Sequence, residues 1–77
     1  MFKKGDKVRI RNLTKEERYG AELHYNSNMI TSEGLEGVIL TVEKRNYGVI
    51  HRVKTKRHDE WKWLPEWLEK PTEYDAF

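Results

Sequence analysis

The stretch Glu60-Trp61-Lys62-Trp63-Leu64-Pro65-Glu66-Trp67-Leu68-Glu69 holds all three tryptophans of the 77-residue chain. Pro65 has a fixed φ and no backbone N–H, so neither a strand nor a helix continues through the run. The pattern predicts a strand over Glu60–Leu64, a stop, and one helical turn over residues 65–69 with proline at its start. Three indole rings supply much of the apolar area that so small a core can bury. Trp63 and Trp67 are expected to be core. Trp61 is the ring expected to face outward.

Upstream of this run lies a hairpin. Tyr47-Gly48-Val49-Ile50-His51-Arg52-Val53-Lys54-Thr55-Lys56 alternates with period two, placing Val49, His51 and Val53 on one face and Ile50, Arg52, Lys54 and Lys56 on the other. Its partner is Val38 to Lys44, with Val38, Leu40 and Val42 sharing a face. Arg45-Asn46 is the expected turn, since Asn tolerates a left-handed backbone. Lys56 to Asp59 forms the next turn, and Gly34 and Gly37 bracket the turn that leads into the hairpin.

The chain begins with a strand of the same alternating kind. In Lys7-Val8-Arg9-Ile10-Arg11 the β-branched residues point inward and the basic ones outward. Residues 12–34 then make a long connection, of the sort that is often functional. Within it, Thr14-Lys15-Glu16-Glu17 has the form of a capping box, and Gly20 ends the helical turn expected near residues 15–19. The remainder is expected to be loop, with Met29 and Ile30 folding back onto the core.

The totals limit the function classes. Seventy-seven residues allow one domain, here 1–70, followed by a polar tail over 71–77. There are no cysteines, so disulfides and thiolate metal ligands are excluded. The longest aliphatic run is Val38-Ile39-Leu40, and Met1 to Asp6 has no apolar signal stretch, so the chain is expected in the cytoplasm and off the membrane. Net charge is only +2, but residues 1–58 hold thirteen Lys/Arg against seven Asp/Glu, and residues 59–77 hold two against six. A basic body beside an acidic C-terminal edge suits either a polyanion or a charged protein surface.

The order of these pieces resembles SH3-like small barrels, of KOW type among others, over residues 2–69. Gly5-Asp6-Lys7-Val8-Arg9-Ile10 looks like their first strand. Gly34-x-x-Gly37-Val38-Ile39 looks like their glycine turn, and Trp63-Leu64-Pro65-Glu66-Trp67-Leu68 resembles their one-turn 3₁₀ ending. The arrangement is most similar to small proteins of Gram-positive bacteria and their phages. The resemblance implies an all-β, SH3-like small barrel of about five strands with a long first loop and a C-terminal one-turn helix. It also implies a binding role, with the groove of SH3 domains lying between the long loop and the helical turn.

No residue set points to catalysis. Ser27 and Ser32 lack a neighbouring His-Asp pattern, and there is no phosphate-binding glycine loop. His24, His51 and His58 are too dispersed for a metal site, and His51 is expected to be a semi-buried strand histidine. The expectation is a protein without enzymatic activity, cofactor or metal. It would be a monomer that binds a host or self protein through Tyr19, Tyr25, Tyr47 and Trp61, since exposed aromatics are the usual anchors of such surfaces. The alternative is RNA or single-stranded DNA bound by Lys7, Arg9, Arg11, Arg45, Arg52, Lys54, Lys56 and Arg57, the outward cations of the strands and their turns.

Overall fold

The computed structural model describes residues 2–71. The elements run β1 (Lys7–Ile10), α1 (Lys15–Tyr19), a first 3₁₀ helix (Ser27–Ser32), β2 (Glu36–Arg45), β3 (Gly48–Thr55), β4 (Lys62–Trp63), a second 3₁₀ helix (Pro65–Trp67) and β5 (Leu68–Glu69). The strands form one antiparallel sheet in the order β4-β3-β2-β1-β5. The two outer strands are only two residues long, and no pairing between them closes the sheet. The second 3₁₀ helix connects these two edges, because Pro65 can open such a turn but cannot extend a strand. The tail beyond residue 71 lies outside the described residues.

The hairpin differs from its sequence reading in three ways. Arg45 pairs with Gly48, so the two-residue loop is Asn46-Tyr47, and the positive φ (+135°) falls on Gly48 rather than on Asn46. Glycine takes that conformation without the steric penalty a Cβ would bring. Secondly, β2 and β3 slip by one residue between Ile39 and Thr41, a bulge at Leu40. A bulge reverses the alternation beyond it. Val38 therefore shares a face with its partners Lys7 and Lys54, whereas Val42 lies opposite His51 on the other face. Val38 and Val42 are both exposed, and Ile39 occupies the core position between Val8 and Val53.

The third difference is Ile50, assigned by alternation to the polar face yet 1% exposed. Its cross-strand partner is Glu43 on β2, and Lys62 on β4 is the partner of neighbouring Arg52. Lys62 Nζ reaches Glu43 Oε1 at 3.2 Å. Because β3 lies between those two strands, this ion pair spans it, and Ile50 belongs to the buried hydrophobic core. His51, on the opposite face, is fully enclosed rather than semi-buried.

The core joins Val8, Ile10, Ile39, Ile50 and Val53 of the sheet to Leu13, Tyr25 and Met29 of the long connection and to Trp63, Leu64, Trp67 and Leu68. Tyr25, Trp63 and Trp67 form a closed set of edge-to-face contacts with ring centroids 5.6–6.2 Å apart, each worth about 0.5–1.5 kcal/mol beyond its buried area. Tyr25 is 3% exposed, which corrects the expectation that it lies at the surface. Its ring fills the space between the two tryptophans. Trp61 packs partly against this core.

Candidate protein-binding cleft

The 25 residues between β1 and β2 are organised by one carboxylate. The Glu33 side chain is 4% exposed. It accepts from Arg18 Nε (2.8 Å) and Arg18 Nη2 (2.7 Å), from the Leu13 backbone N–H (3.1 Å) and from the Tyr25 hydroxyl. Burial alone would raise its pKa, but the Arg18, Tyr25 and Leu13 donors together hold it below the usual carboxylate value. Tyr25 shows the reverse: burial first, then the Glu33 charge, push its hydroxyl above the normal tyrosine range. Glu33 caps the end of the first 3₁₀ helix, whose start is fixed by Asn26 Oδ1 accepting from the Asn28 N–H at 2.9 Å. A loop was expected over Asn26 to Ser32; this polar run is instead the cap and body of a helix.

With the connection fixed, α1 sits beside the second 3₁₀ helix. Thr14 and Glu17 form the reciprocal capping box anticipated from sequence, with bonds of 2.9 and 3.1 Å. Trp67 Nε1 donates to the Glu17 carbonyl at 3.1 Å. Arg11 bridges the same elements, holding the Glu17 carboxylate at 3.0 Å and donating to the Glu66 carbonyl. These contacts set the spacing of the two helical turns. Between them opens a cleft of about 250 Å³, with Leu64, Trp67 and Ala21 as its apolar lining and Glu16, Glu17 and Glu66 as its acidic rim, closed at one side by Gly20. Glu17 is held ionised first by the Thr14 backbone N–H and then by Arg11. Arg11 cancels only that one charge, so the rim is net negative.

The residues expected to bind a partner are not gathered in one place. Tyr19, at the end of α1, is 57% exposed and stands edge-on to buried Tyr25, 5.6 Å between centroids. Tyr47 is in the loop at the hairpin tip and is half-buried. Trp61 is half-buried just before β4, edge-on to His58 at 5.8 Å, with its indole N–H enclosed and without an acceptor. The cleft between α1 and the second 3₁₀ helix is lined instead by Glu16, Glu17, Gly20, Ala21, Leu64, Glu66 and Trp67. The sequence signal for it is the carboxylates on both helical turns, Glu16 and Glu17 on one and Glu66 on the other.

The cations divide into two sets. Arg9 pairs with Glu36 at 3.2 Å, Arg11 with Glu17, and Arg45 with Glu43. Arg52 Nε donates to the Asp59 carbonyl at 2.7 Å. Lys7, Lys54, Lys56 and Arg57 make no ion pair among the described residues and are exposed. No cluster of three or more His, Asp or Glu side chains suited to a metal occurs among the described residues, and no helix among them is long and apolar enough to cross a membrane. Comparison with protein-family models, curated proteins and solved structures finds no match to this chain.

Proposed function

We propose that this chain is a non-catalytic binding module of SH3-like form that takes a basic protein segment into the cleft between α1 and the second 3₁₀ helix. The observation that carries the reading is the acidic rim of Glu16, Glu17 and Glu66 around a small cleft beside Ala21 and Leu64, on elements locked together by Arg11 and Trp67 Nε1. A Lys or Arg side chain entering there brings its charge to Glu16 and Glu66 while its methylene stem lies beside Ala21 and the exposed edge of Leu64. The SH3-like form is supported by the five-stranded antiparallel sheet, the long connection after β1 and the proline-led 3₁₀ turn between the last two strands. The resemblance to proteins of Gram-positive bacteria and their phages makes a host or self protein in the cytoplasm the proposed partner, bound by a monomer of this chain.

The test is titration with two sets of twelve-residue peptides matched in apolar content, one rich in Arg and Lys and one rich in Glu, followed by tryptophan fluorescence. Basic peptides are expected to bind, and the E16Q/E66Q double variant to bind them at least about tenfold more weakly, since two rim charges each contribute of the order of 1 kcal/mol. Equal binding of the two peptide sets, or an unchanged affinity in the double variant, rules the cleft out.

A further inference from the structure

We propose that a second, separate surface at the junction of β1, β2 and β3 binds the phosphate backbone of nucleic acid, through Lys7, Lys54, Lys56 and Arg57. The β-sheet register carries the inference. Lys7 pairs with Val38, and Val38 pairs with Lys54, so the two lysines flank an exposed valine in one cross-strand row. Two strand spacings separate them by about 10 Å. Lys56 and Arg57 follow in the turn that leaves β3, and this turn is not a floppy loop. Thr55, itself buried, accepts through Oγ1 from the N–H groups of Arg57 and His58, both at 3.2 Å, and its own N–H donates to the His58 carbonyl at 2.8 Å. The turn therefore presents Lys56 and Arg57 at a fixed place, beside a surface depression that the two share with His58.

What sets these four apart is that the fold does not spend their charges. Of the other cations on or beside the sheet, Arg9, Arg11, Arg45, Arg52 and Lys62 are engaged by carboxylates or by a backbone carbonyl, and Lys44, also without an ion pair among the described residues, lies apart near the hairpin end of β2. Glu36 lines the same small depression as Lys7 and Val38, but Arg9 already holds it. A chain of net charge +2 thus concentrates an uncancelled +4 on one surface. Phosphates are the favoured occupant because the contacts on offer are point charges around a small apolar site. The four cations come from separate strands and a turn and meet phosphates as charges rather than as a set of base-edge contacts, and α1, five residues long, is too short to serve as a recognition helix. Binding is accordingly expected to be independent of sequence and strongly dependent on salt.

The experiment is fluorescence anisotropy of labelled twelve-nucleotide single-stranded DNA and RNA and of a DNA duplex, between about 50 and 200 mM salt. Three to four phosphate contacts on a single strand give a log–log salt slope of about −2 to −3, a loss of about 20- to 50-fold in affinity over that range. K54Q/K56Q, which alters exposed residues without ion pairs and is checked for folding by a thermal melt, is expected to flatten the slope to about −1.4. The E16Q/E66Q cleft variant is expected to bind oligonucleotides as the parent does, so failure here and failure of the cleft are separable. Three results overturn the proposal: no binding at about 50 mM salt, an unchanged slope in K54Q/K56Q, or a poly-glutamate peptide that competes as well as the oligonucleotide, which would make an acidic protein segment the occupant.

Discussion

Replacing Glu33 by glutamine is expected to unfasten the whole connection between β1 and β2. The carboxylate accepts two guanidinium bonds, a backbone N–H and a phenol, all in a pocket where its side chain is 4% exposed. Glutamine keeps the size but has one acceptor oxygen, and its NH₂ faces donors. Breaking one side of a buried ion pair costs about 3–5 kcal/mol. At about 0.05–0.15 kcal/mol per residue, a chain of this length has about 4–12 kcal/mol in total. The variant therefore loses between a quarter and all of its stability. Urea denaturation followed by tryptophan emission reads this directly, because Trp63 and Trp67 both touch Tyr25; the midpoint is expected to fall by about 2–4 M at the small m-value of such a domain. The R18M/E33L pair, which removes both charges, is expected to recover part of the loss, leaving only Leu13 N–H and the Tyr25 hydroxyl without their acceptor. A loss below about 1 kcal/mol for E33Q would refute the argument and make Glu33 an ordinary surface carboxylate.

Two further perturbations test other parts of the fold. A Cβ on Gly37 would lie 2.5 Å from the Lys54 carbonyl oxygen and 2.8 Å from Val53 Cγ1, so G37A must push β2 off β3; about 2 kcal/mol of destabilisation, or a fall of about 8–16 °C in Tm, is expected in a thermal melt. His51 is buried edge-on to Phe2, between its strand partners Val42 and Trp63, and neither ring nitrogen makes a hydrogen bond of ordinary geometry. Burial pushes its pKa below 6.5, offset only in part by the Trp63 and Phe2 carbonyls. The folded state holds the neutral ring, so this contribution is complete above pH 6.5 and is lost as pH falls from there toward the lowered folded pKa, with a slope of up to about 1.4 kcal/mol per pH unit. Urea midpoints measured from pH 7.5 to 5.5 are expected to drop in the parent and to stay nearly level in His51→Leu; equal pH dependence in both would remove His51 as the cause.

Much of the architecture follows from local pattern. The capping box at Thr14 and Glu17 forms where its residues lead one to expect, the two long hairpin strands pair as expected apart from the bulge, and the proline-led turn starts at Pro65 but ends at Trp67, Leu68–Glu69 being β5 rather than helix. The hairpin loop at Asn46-Tyr47 and the 3₁₀ helix capped by Asn26 are local departures from the pattern; the others involve atoms distant in sequence. Alternation could not show the bulge at Leu40, which arises from how two strands meet, nor that Ile50 joins the core. Tyr25 looked like a surface residue because nothing near it in sequence announces the gap between Trp63 and Trp67 that it fills.

The proposed binding surfaces divide along the same line. The sequence by itself determined that the chain has one small β-rich domain, no thiol chemistry, an aromatic closure around Pro65 and a surplus of cations before residue 58; these depend on composition and on neighbours along the chain. Only the tertiary structure decided which charges remain free. Among the described residues, Arg9, Arg11, Arg18, Arg45 and Lys62 find carboxylates on the same or other elements, and Lys7, Lys54, Lys56 and Arg57 do not. It likewise brought Glu16 and Glu66, fifty residues apart in sequence, to one cleft over Trp67. Charge pairing acts through space over a few ångströms, so a linear count of Lys and Glu gives the total, and the fold decides which of those charges a partner can meet.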